Sequence, residues 1–224
     1  MGPWLTKGCD VMEFAAGQGS GNSDALLAAD QRGAPRYASL IRAAKLVCGQ
    51  GEFVCVIRDV SATGVSLRTF HGLPTDAEIA LELQNGESFE MRQIRANGFD
   101  GSYRFEAAVP VERLVHENWA FPKRQLRLNL AMPLTVSTLT QKAQAFMLNL
   151  SQQGARVECD TIFAIDQTLR IENGYMPEIR AKVRWRRDAN YGLAFDDFFT
   201  LREFALLAAR VQCPLLLRPE ERSQ

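Results

Sequence analysis

Arg32-Gly-Ala-Pro-Arg36, followed by Asp59-Val-Ser61-Ala-Thr-Gly64, is the stretch on which the reading of this chain turns. It sets two arginines a short loop apart, ahead of an acid, a hydroxyl and a glycine. The same order returns as Lys123-Arg124-Gln-Leu-Arg127 and Asn149-Leu-Ser151-Gln-Gln-Gly154. By subtraction, Ser61 and Ser151 are ninety positions apart, and so are Gly64 and Gly154. A single Asp/Asn-x-Ser-x-x-Gly is a common accident. Two copies in register, each with a basic x-x-x-Arg pair upstream, mark a duplicated unit.

Outward from each motif the pattern is that of short strands. In the first unit these are residues 41–47, 53–60, 65–69, 79–83, 89–95 and 103–108, separated by Gly49-Gln-Gly51, Asn85-Gly86 and Asn97-Gly-Phe-Asp-Gly101. Residues 110–118 read as a short joining helix. In the second unit strands are expected at 128–140, with Pro133 at an edge or break, then 145–150, 155–159, 168–171, 179–185 and 191–195. Thr200-Leu-Arg-Glu203 is a capping box, and it opens an amphipathic helix through Val211 with Pro214 just beyond. The fold class is therefore mainly all-β: two small six-stranded barrels in tandem, with short connecting and C-terminal helices. Closure into barrels removes exposed sheet edges. The domains expected are 1–29 as a flexible tail, 30–116 with the complete motif, 117–213 with a degenerate one, and 214–224 as a C-terminal tail.

Composition sets the limits. The 224 residues are 46% hydrophobic and 23% charged, enough for two small cores. No apolar run is long enough to span a bilayer, and the first residues lack the continuous apolar stretch of a signal peptide, so a cytoplasmic protein is expected. Twenty-six basic residues balance twenty-six acidic ones, which argues against coating nucleic acid by bulk charge and makes any anion site local. Five cysteines, Cys9, Cys48, Cys55, Cys159 and Cys213, are an odd number without CxxC spacing and read as unbridged thiols. With two histidines, no HExxH and no GxSxG, neither a catalytic nor a metal constellation is visible, and no cofactor is expected.

RxxxR followed by [D/N]xSxxG between short strands resembles the signature of the PilZ domain. Lys182-Val-Arg-Trp-Arg-Arg187 and Tyr191-Gly-Leu-Ala-Phe195 look like the hairpin that ends the PilZ barrel. The resemblance implies six-stranded barrels that bind the bacterial second messenger cyclic di-GMP, and a receptor in place of an enzyme. Its implied ligand set in the first unit is Arg32, Arg36, Asp59, Ser61 and Gly64. A weaker second set is Lys123, Arg124, Arg127, Asn149, Ser151 and Gly154. It further implies an unidentified protein effector as downstream partner, in motility or biofilm regulation.

The chemistry supports that assignment independently. Arginine donates twice to a phosphate or to guanine O6 and N7, and its flat face stacks on a base. Asp59 and Ser61, two apart on a strand, point together while Val60 faces the core. Asp59 accepts from a guanine edge, Ser61 bonds a base or phosphate, and Gly64 takes positive φ in a tight turn that lets ligand approach the backbone. In the second unit Lys123 lacks the guanidinium fork. The default role of that unit is a docking or dimerising barrel. Arg180, Lys182, Arg184 and Arg186 alternate with Ile179, Ala181, Val183 and Trp185, which puts a basic row outside and Trp185 inside. That row is either a solvated exterior, a surface for an anionic partner, or a wall near the second pocket that compensates for Lys123. The competing reading of the whole chain is a ligand-independent adaptor acting through protein–protein contacts.

Overall fold

The period-two alternation that begins near residue 41 does form strands, because alternate apolar side chains are buried only when successive Cβ atoms face opposite sides of a sheet. The computed structural model describes residues 37–76, 78–115 and 125–218. The Gly/Ser tail, Arg32, Arg36, Lys123 and Arg124 lie outside the described residues.

In the first unit β1 (Tyr37–Cys48), β2 (Gly51–Ser61), β3 (Gly64–Thr69), β4 (Ile79–Glu82), β5 (Ser88–Asn97) and β6 (Asp100–Phe105) close in the order β1-β2-β3-β6-β5-β4. All pairings are antiparallel, and β4 returns to β1 through Leu46 opposite Leu81. A short helix, α1 (Val111–Val115), follows. In the second unit β7 (Arg127–Leu128) precedes β8 (Met132–Ser137), β9 (Lys142–Ser151), β10 (Gly154–Glu158), β11 (Thr168–Glu172), β12 (Ile179–Arg187) and β13 (Asn190–Phe195). The last six form a second ring, closed by β9 on β10, and β7 is an added rung on β9. The chain is mostly β, as the alternation predicts, and it holds two closed six-stranded antiparallel barrels.

The expected strand over 128–140 is broken, but before Pro133. The N–H of Asn129 leaves the ladder and donates to Glu52 Oε2 of the first barrel at 2.8 Å, while its side-chain amide donates to Glu52 Oε1 at 2.7 Å. Pro133 lies within β8 opposite Phe146, its side chain exposed.

Each barrel has its own interior, and both meet α2 (Leu201–Gln212). Leu46, Phe53, Ile57 and Leu67 fill the first; Leu134, Met147, Leu150 and Tyr191 fill the second. Along α2, Phe204, Ala205, Leu207 and Ala208 join the second cluster with Val54 of β2, whereas Ala209 joins the first. The end of the helix is tied to the first barrel: Gln212 Nε2 donates to Glu52 O at 2.7 Å and its Oε1 accepts from Glu52 N at 2.9 Å. Beyond it Leu217 is buried, and Gly72 N donates to Leu216 O at 2.7 Å.

The capping box at Thr200 is present in full. Thr200 Oγ1 accepts from Glu203 N at 3.2 Å, and Glu203 Oε2 accepts from Thr200 N at 2.8 Å. The bonds that the Glu203 carboxylate accepts from Thr200 N and from the Thr200 hydroxyl hold it below its ordinary value, so their stabilisation is present above that value and is lost as pH falls through the lowered one. Thr200→Ala is expected to cost about 1 kcal/mol in urea unfolding near neutral pH. A change indistinguishable from zero would mean that packing alone holds the first turn.

Cys55 and Cys159 are buried, and Cys48 and Cys213 half-buried, all four unbridged. Burial, with Asp76 nearby, pushes the Cys48 thiol up to about 11, and burial raises Cys55 further.

Candidate functional site

The Ser-x-x-Gly element has the same construction in both barrels. Ser61 Oγ donates to Gly64 O at 3.3 Å, and Ser151 Oγ donates to Gly154 O at 3.0 Å, so each serine closes the turn that its own glycine ends. The glycines are required for a reason other than positive φ, which neither adopts. A Cβ on Gly64 would stand 2.6 Å from Tyr103 O on β6, and one on Gly154 would collide with Leu193 O on β13. Both motif glycines thus admit the backbone of the neighbouring strand, not a turn conformation. Val60 is core, as expected.

The duplication extends to the irregularities of the sheets. Register slips past Arg58 on β2 and past Ile94 on β5 in the first barrel. In the second it slips past Leu148 on β9 and past Arg184 on β12, again ninety positions on. Each pair of bulges frames the motif, and a bulge turns the residues after it to the other face. This corrects the inward reading of Trp185. The alternation holds through Ile179, Ala181 and Val183, all buried. The bulge at Arg184 then puts Trp185 opposite Gly192 on the outside, 45% exposed. A Cβ on Gly192 would strike the indole, so the ring lies against that glycine. The glycine in Tyr191-Gly-Leu was the one sequence signal of this, since a strand glycine marks a bulge or a close approach.

The two motifs therefore open onto equivalent grooves with different walls. That of the first barrel is about 240 Å³ and is bordered by Asp59, Ser61, Gly64, Ser66, Ile94 and Arg104. That of the second is about 800 Å³. It holds Arg156 where the first has Ser66, Arg184 where the first has Ile94, and Trp185 where the first has Arg95. Arg127, the last residue of the second basic pair, also borders it and donates from NH1 to Asn149 Oδ1 at 3.0 Å. Arg156 Nε is oriented by Asn190 Oδ1 at 3.0 Å, and Arg184 by Asp166 at 3.2 Å. The structure thus gathers Arg127, Ser151 and Gly154 around one groove, and Asp59, Ser61 and Gly64 around the other. Sequence reasoning missed Arg156 and Trp185, whose place depends on cross-strand register and on the bulge.

The first barrel also lines the larger groove, through Lys45, Glu82, Leu83 and Gln84. A volume of about 800 Å³ falls within the roughly 300–1,000 Å³ usual for small-molecule sites, and 240 Å³ falls below it. An indole face beside several guanidinium groups suits a planar base carrying phosphate. The basic row from Arg180 to Arg186 is exposed, with Arg184 turned into the groove and Arg170 placed directly opposite Arg180. Among the described residues no group of three or more His, Cys, Asp or Glu could hold a metal ion, and no helix is long and apolar enough to cross a membrane.

Comparison with known proteins gives no match among curated ones. Among solved structures, the chain is similar to Borreliella burgdorferi PlzA in complex with c-di-GMP, at 14% identity over 75% of this chain and 86% of that one, with a TM-score of 0.31. It is also similar to the K. pneumonia MrkH–c-di-GMP complex, at 12% identity over 75% and 85%, TM-score 0.32. A third is the Bacillus subtilis inhibitor of motility, MotI/DgrA, at 14% over 75% and 93%, TM-score 0.32. Comparison with protein families matches residues 122–212 to the PilZ domain. Those residues contain Arg127, the whole Asn149-to-Gly154 motif, the Arg184 bulge and all of α2, and the second unit of this chain is a PilZ domain.

Proposed function

We infer that the chain is a receptor for cyclic di-GMP and that the ligand lies in the groove of the second barrel. The observation that carries this is the concentration of Arg127, Arg156, Arg184 and Trp185 around the PilZ motif, in a space large enough for a dinucleotide. The guanidinium forks suit the phosphates and the Hoogsteen edges of guanine, and the indole suits a base face. The first barrel carries Asp59, Ser61 and Gly64 around its smaller groove, which favours it as a second site completed by Arg32 and Arg36. Binding that ties the basic segment ahead of either barrel to the sheet would alter a surface offered to a protein effector. The chain acts in this reading as a cytoplasmic switch with no catalytic step, built from domains over 30–116 and 117–213.

Calorimetric titration with cyclic di-GMP, paired with hydrogen exchange, tests the reading. Saturation should be seen, with protection concentrated in residues 125–128, 149–156 and 184–193. Protection confined to residues 57–66 would move the site to the first barrel, and absence of heat and protection would favour the ligand-independent adaptor.

A further inference from the structure

The barrel of the PilZ domain carries an amide, Asn149, where the first motif carries the carboxylate of Asp59, and Asn149 Oδ1 is already engaged by Arg127. The groove nevertheless has a carboxylate. Glu82, from β4 of the first barrel, is the single acidic residue among the described residues that border it, together with Arg127, Arg156, Arg184 and Trp185. Its side chain is 31% exposed and is fixed in place: Glu82 Oε1 meets Lys45 Nζ at 3.0 Å, and Lys45 is itself buried and held by Glu52 Oε2 at 3.1 Å. Glu52 is occupied on both oxygens by Asn129 and Lys45, whereas Glu82 Oε2 has no partner among the described residues.

We propose that Glu82 is a specificity-determining residue of the groove, supplied in trans by the first barrel, which accepts hydrogen bonds from the Watson–Crick edge of guanine and excludes adenine. The proposal rests on the reading that a purine dinucleotide binds there. An ionised carboxylate only accepts. Guanine presents two adjacent donors on that edge, N1–H and the exocyclic amine, while adenine presents an acceptor at N1 beside its amine. A carboxylate facing adenine therefore meets a lone pair and leaves a half-buried oxygen unsatisfied, the situation in which polar sites discriminate most strongly. The arginines that border the groove can select guanine only through O6 and N7 of its Hoogsteen edge, which leaves its Watson–Crick edge to a carboxylate.

The test is titration of the full chain and of Glu82→Gln with cyclic di-GMP and with cyclic di-AMP, each variant also melted to check folding. Glutamine keeps the shape and one acceptor but brings a donor that suits adenine N1. The native chain should prefer cyclic di-GMP. Glu82→Gln should lose about ten- to hundredfold in affinity for it, the loss of one charge-assisted bond, while affinity for cyclic di-AMP stays level or rises. Because Glu52 still holds Lys45, the melting temperature should change little. Failure of the native chain to bind cyclic di-GMP overturns the receptor reading beneath the proposal. Native binding with an unchanged preference in Glu82→Gln, or an equal loss for both ligands, overturns the role of Glu82 alone.

Discussion

Replacing Phe204 with alanine is expected to lower the unfolding free energy by about 3–5 kcal/mol, a large share of the roughly 5–15 kcal/mol that a domain possesses. Phe204 is fully buried in the cluster that fills the second barrel, on the face of α2 that also carries Ala205, Leu207 and Ala208. Its ring cannot be replaced by rotation of small neighbours, so the cavity stays open. The same helix contributes Ala209 to the first core and hydrogen-bonds Glu52 through Gln212, so loosening it removes packing from both barrels. Urea unfolding should show the midpoint falling with one transition retained. A loss below about 1.5 kcal/mol would mean that α2 covers the barrel without plugging it.

Arg127→Ala is expected to weaken cyclic di-GMP binding by roughly tenfold to a few-hundredfold, since it removes one or two charge-assisted bonds that together contribute about 1.5–3 kcal/mol. Arg127 is exposed, at the groove, and oriented by Asn149, so its removal should leave the core untouched. Arg127→Lys should not restore affinity, because a point charge keeps the Coulomb attraction and loses the planar fork. Calorimetry on the two variants, set against Arg32→Ala/Arg36→Ala, separates the barrels. Full-strength binding by Arg127→Ala together with loss in the double variant would place the ligand in the first barrel.

Much of this was legible in the amino-acid sequence. The ninety-residue repeat, the strands near residues 41–47, 53–60 and 168–171, and the helix opened by Thr200 and Glu203 are local facts. They are set by period-two burial, turn residues and capping, which a reader of the chain can count. The PilZ resemblance likewise rests on contiguous residues. What the sequence could not convey is which residues meet across strands. Lys123 in place of arginine made the second motif look the weaker. Yet its groove is made by Arg156 on β10 and by Arg184 and Trp185 on β12, where one bulge at Arg184 puts Trp185 on the outside beside it, opposite Gly192. The roles of Gly64 and Gly154 were hidden for the same reason, since what crowds them is a carbonyl some forty residues away in the chain. Glu82 belongs to a different barrel altogether. By itself the sequence determined the elements and the duplication, because those depend on neighbours a few residues apart. Only the tertiary structure decided that arginine, indole and carboxylate border one groove, because a one-residue slip in register changes the face of every side chain beyond it.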